Sequence, residues 1–198
     1  MQSEASDNIA RSGEGQRTSP TKMKIQFTFS VQFNTSLTKR DVLYPAKEIE
    51  AMNLFWETCG QDIEKILTKI TRLSFVEKSI KCYLNSEFSI SDPLSLKIEN
   101  IEDMKDNLIH ELIHVLLTGN DFGETSQWKA VMEEYKEEPT ATRIHVVVHR
   151  IHYLVTQKLF PNRLEAIVNY SKNPKYIRAW NIIKNPEKVD NLMILTKS

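Results

Sequence analysis

An apolar run from Leu108 to Leu117 carries His110-Glu111-Leu112-Ile113-His114, with no Gly or Pro before Gly119. On a helix, residues four apart lie one above the other, so the two imidazoles share a face. Two histidines and a glutamate among Ile109, Leu112, Ile113 and Val115 are expensive to bury without a partner. A zinc ion held about 2.0–2.1 Å from each ring nitrogen is such a partner. Glu111 sits roughly 100° round the helix from His110, badly placed for a ligand. It can instead reach a water at the metal's open position and take its proton. The competing expectation is a core helix whose polar groups are satisfied in some other way.

The 198 residues suffice for one domain with a sizeable core, or for one domain and a tail. Lys+Arg and Asp+Glu balance at 26 each, so no global charge argues for nucleic acid or an anionic membrane as partner. The local exception is acidic: Asp121, Glu124, Glu133, Glu134, Glu137 and Glu138 follow the motif against only Lys129 and Lys136. Cys59 and Cys82 have no C-x-x-C partner, and Cys82 alternates with Ile80 and Leu84 as a small buried residue would. These features predict no disulfide framework and fit a reducing cytoplasm. No signal-peptide pattern and no run of 18 apolar residues is evident, so a cytoplasmic protein without a membrane span is expected.

Taken in order, residues 1–22 are almost devoid of apolar side chains and read as a disordered tail. One domain is expected over residues 23–198, with a helical C-terminal part from about 124. Ile25, Phe27, Phe29, Val31 and Phe33 alternate with polar residues, which predicts a half-buried strand. Helical spacing from Ala46 to about Leu73 follows, with Gly60 a kink or break. Short alternating runs predict strands at 80–84 and 94–98, separated by a polar stretch with Pro93. Asn100 caps the motif helix and Gly119 ends it. Helices are then expected at about 125–137, 139–159, 161–171 and 174–184, with Pro139, Pro161 and Pro174 near their starts. A short segment at 189–195 closes the chain. Strand, helix, two strands and then helices make an α+β fold, a small antiparallel or mixed sheet packed on helices.

A catalytic zinc site wants a third protein ligand and one open position. Glu134, Glu138, His145, His149 and His152 are the candidates, the last three at four- and three-residue steps along one helical face. The motif followed by a Glu-bearing helix resembles the zincin metallopeptidases of the gluzincin type, in particular compact minigluzincin-like domains. The resemblance spans roughly residues 23–159, but only the five-residue motif is specific. It implies a zincin-like fold, a Zn²⁺ cofactor and a third ligand carried over to Glu138, or else Glu134, with Glu137 or His145 behind. The extended metzincin motif is absent, since Asn120 stands where its third histidine would be.

The expected function is thus zinc-dependent hydrolysis of a peptide or protein substrate. Zinc would be held by His110, His114 and Glu138, with Glu111 as general base and His149 (or His145) assisting at the substrate carbonyl. The strand at 94–98 would offer an edge to an extended substrate. Tyr176, Arg178 and Trp180 are expected to pack or face solvent. Two other classes stay open: a zinc-binding regulatory or interaction module with little turnover, and a helical domain whose motif is accidental.

Overall fold

The computed structural model describes residues 22–29, 45–171 and 173–184. Residues 1–21 of the expected tail, Val31 and Phe33 of the expected strand, and the segment expected at 189–195 lie outside these. The alternation after Lys22 forms strand β1 (Lys24–Phe29), with Ile25 and Phe27 buried and Lys24 and Gln26 exposed. Helix α1 (Ala46–Thr71) crosses to β2 (Ser79–Asn85), which pairs with β1 in parallel from Lys24↔Ser79 to Phe29↔Leu84. The short strand β3 (Ile90–Ser91) then turns through Asp92-Pro93 into β4 (Leu94–Lys97). Strand β4 is parallel to β2 and antiparallel to β3, so the sheet is mixed, in the order β1-β2-β4-β3.

Two expectations are corrected here. The strand at 94–98 is no free edge, because β3 folds back and takes that position beside Leu94 and Ser95. Asn85 makes the fold-back possible. Its side-chain oxygen accepts from the Glu87 and Phe88 amides, while its Nδ2 donates to the Phe88 carbonyl. Nor does Gly60 break α1, which runs unbroken past it. A Cβ at Gly60 would lie 2.7 Å from the Trp56 ring, so the glycine is there to let the indole lie flat on the helix one turn later. Trp56 is buried and its Nε1 donates to the Met23 carbonyl, which fastens the start of β1 to α1.

The motif helix α2 (Ile101–Gly119) starts on Asn100, whose side chain accepts from the Asp103 amide. At its far end the Asn120 side chain donates to the Leu116 carbonyl. Met104, Leu108, Ile109, Leu112, Ile113 and Leu116 are all within 1% of complete burial, because α2 packs on β4 and β3 and also on α1. A short 3-10 turn (Phe122–Glu124) and α3 (Ser126–Glu134) lead to α4 (Thr140–Leu159). Helix α4 lies against α1, α2, α3 and α6 and is buried almost all round from His145 to Thr156. A second 3-10 turn (Pro161–Arg163), α5 (Leu164–Tyr170) and α6 (Pro174–Ile183) complete the described chain. The protein is therefore α+β and mostly helical. Among the described residues, no helix is long and apolar enough to cross a membrane.

Candidate metal centre

Helix α2 turns one narrow polar face away from the sheet, and α4 lies against it. The rings of His110 and His114 are 5.1 Å apart, as their four-residue spacing dictates. Opposite them, His145 and His149 repeat the same spacing on α4, with ring centres 5.3 Å apart. Across the helix pair, His110 is 5.5 Å from His145, 5.4 Å from His149 and 5.8 Å from His152, and His114 is 5.2 Å from His145. All five histidines of the chain thus meet at one place. One ring nitrogen from each of His110, His114 and His145 falls within 4.8 Å of the others, close enough to hold a metal ion.

The hydrogen bonding around this group suits a metal. His145 Nδ1 is 2.7 Å from the Ala141 carbonyl, an acceptor, so that nitrogen carries the proton. Its Nε2 keeps the lone pair and is buried with no hydrogen-bond partner among the described residues. A carbonyl behind one ring nitrogen and a bare nitrogen in front is how ligating histidines are usually oriented. His149 Nδ1 and both nitrogens of His152 are likewise buried and unpartnered. Burial disfavours the charged form of every one of these rings. It is the largest cause that lowers His114 to about 4, His152 to about 3 and His145 below its usual value. For His110 and His149 burial leads again, and neighbouring histidines add to it. All five rings are thus biased toward the uncharged form, the form that binds metal.

Glu111 is 8% exposed, and burial raises its carboxyl to about 7. It shares with His110, His149, His152, Tyr176 and Trp180 the wall of a cavity of about 190 Å³. A second, wider cavity of about 500 Å³ is lined by His114, His145, Asp121 and Trp128. The histidine group therefore borders two cavities.

The carboxylates expected to supply a third ligand are elsewhere. Glu138 accepts from Arg178 Nε at 3.1 Å and from Nη2 at 2.7 Å, tying the start of α4 to α6. Glu134 and Glu137 are exposed. Pro139 precedes α4 in an extended conformation (ψ 143°), so Glu138 is not on the helical face that carries His145. The aromatic residues of α6 were not anticipated at the site. Tyr176 stacks on His145 at 3.9 Å and Trp180 on His149 at 4.2 Å. The signal for them was the shared four-residue spacing, 176 and 180 against 145 and 149, which seats one helix's rings on the other's. Arg143 serves the framework, donating to the Met132 carbonyl and to Thr140 Oγ1.

Below His110 the helix is pinned by Arg163, whose guanidinium donates to Asp103 and Asp106 at 2.9 and 2.6 Å. Burial nonetheless raises the Asp106 carboxyl to about 6, outweighing the downward pull of Arg163. No family model, curated protein or solved structure matches this chain.

Proposed function

We propose that this chain is a zinc-dependent hydrolase of peptide bonds, with His110, His114 and His145 as ligands. The observation that carries the reading is the convergence of the His110, His114 and His145 rings on one another, with the raised carboxyl of Glu111 in the wall of the cavity that His110 lines. An all-imidazole donor set also suits copper, iron or nickel. Zinc is preferred because three imidazoles, a vacant position and an adjacent carboxyl are the makings of a hydrolytic site. When bound, zinc supplies Lewis acidity to the scissile carbonyl and makes water acidic enough to attack near neutral pH.

The residues divide the remaining work. Glu111 accepts the proton of the attacking water and hands it to the departing amine; a carboxyl near 7 is matched to both transfers. The Tyr176 hydroxyl and the His149 ring border the same cavity, where a hydrogen-bond donor can steady the developing oxyanion. The resemblance to compact zincins and a cytoplasmic location belong to this reading. Its substrate is a peptide or protein segment that enters the cavity beside Glu111.

The test is zinc content and turnover of a mixed peptide library by wild type and Glu111→Gln. About one zinc per chain in both, with turnover reduced about 10²–10⁴-fold in the variant, is expected for a general base. A chain that binds zinc and cleaves nothing would favour the second reading, a zinc-binding interaction module. The near-fourfold set of histidines is the observation on that side. A chain that takes up no zinc would end both.

A further inference from the structure

The histidine pair on α4 is more than the source of one ligand. Five ring-centre distances among His110, His114, His145 and His149 lie between 5.1 and 5.5 Å. Four imidazoles bound tetrahedrally to one ion about 2.0–2.1 Å away have their ring centres about 5 Å apart. Of the six pairs, five are already at that separation, and His114 with His149 is the pair still to be brought together. His149 is 2% exposed, and its Nδ1 is buried without a partner among the described residues. A buried polar atom of this kind calls for one.

We propose that His149 is a fourth metal ligand in the substrate-free protein, which closes the centre as a four-histidine site. The proposal rests on the metal-binding part of the function proposed above, not on its catalytic part. His149 is outside the set of three whose ring nitrogens already lie within 4.8 Å of one another. Ligation therefore takes a turn of the ring about its own side-chain bonds, toward His114. That turn takes it off the face of Trp180, on which it now stacks at 4.2 Å with 12° between the planes. Its two positions, on Trp180 and on the metal, make the fourth coordination place exchangeable. A substrate carbonyl or water entering from the cavity that His110, Glu111 and His149 share displaces it. His152 supplies the contrast. Its ring is also buried and unpartnered, but it stands farther from His110, at 5.8 Å, and takes no part in the fourfold set.

The experiment is X-ray absorption of the full-length zinc-loaded chain, counting imidazoles, alongside the visible spectrum of the cobalt-substituted protein. Four imidazoles and a tetrahedral cobalt spectrum are expected in the wild type. His149→Ala should drop the count to three with one oxygen donor and weaken zinc binding at least tenfold. His152→Ala should leave the count at four. Acetohydroxamate, a small bidentate zinc ligand, should displace one imidazole in the wild type. Three imidazoles plus oxygen in the wild type would overturn the proposal, and that count decides the matter even if His149→Ala does not fold. Four imidazoles with no peptide turnover would uphold the closed site while removing the peptidase reading. Three with turnover would do the reverse.

Discussion

His145 owes its readiness to a single backbone carbonyl. With Nδ1 donating to Ala141, the ring cannot turn without losing that bond, and its Nε2 is left bare beside the His110 and His114 rings. His145→Ala should therefore weaken zinc binding by more than the roughly 10–100-fold loss typical of an outer-sphere partner. Glu138→Ala, which removes the contact to Arg178, should leave zinc content unchanged in the same titration. Asp106 gives a second prediction. Its folded carboxyl is raised to about 6 from an ordinary value of 3.8, so between these values the folded chain holds the proton and the unfolded chain releases it. Its contribution to stability is therefore present at the acid end and lost as pH rises through about 6. Against wild type, Asp106→Asn should show a less negative slope of melting temperature with pH across that window. An unchanged slope would mean that Arg163 neutralises the group after all. His110, Glu111 and His114 could be read from the sequence because one helix turn fixes their relations. The choice among Glu138, Glu134 and His145 could not, because it depends on how α4 is rotated against α2, and the extended residue Pro139 carries Glu138 off the face that matters.

Among the elements, α1 shows how a glycine can mislead. In an exposed helix Gly→Ala stabilises by about 1 kcal/mol. At Gly60 the new methyl would meet the buried Trp56 ring at 2.7 Å, so Gly60→Ala should instead destabilise by about 1–3 kcal/mol, measured by urea unfolding. The long helices and the strands β1, β2 and β4 were legible because their apolar periods are sustained over several residues. Strand β3 was not. Ile90 and Ser91 are too short to show a period, and what makes them a strand is the Asn85 turn and the neighbouring β4. The packing of α6 on α4 was equally hidden, since rings four apart on two helices signify contact only once the helices are known to be neighbours.

For the molecule as a whole, the metal should contribute to stability. Free zinc at about 100 times its dissociation constant stabilises by about 2.7 kcal/mol. For a domain of this size that is a rise in melting temperature of roughly 5–10 °C, to be reversed by a chelator. No shift on adding zinc would mean that the histidines are satisfied without it. The α+β class was legible from element order alone, and so was the burial of Cys82, whose thiol is pushed well up by its surroundings. The meeting of all five histidines was only half legible. Their confinement to residues 110–152 was plain in the sequence, but the contact between the two helices comes from the shared core of α1, α2 and α4.

The placement of ligands on α2 and α4 has a mechanical side. An ion gripped by His114 and His145 fastens together the two ends of the excursion through the 3-10 turn and α3, much as a clasp closes a strap. Closing a loop removes freedom from the unfolded chain, and a metal clip does so as a cross-link would. With the clasp open, residues 120–139 are held by the packing of α3 on α4, by that of the 3-10 turn on α2, and by the Glu138–Arg178 ion pair. A protease added to the chelated protein should find its first cut there, and added zinc should protect the same bonds.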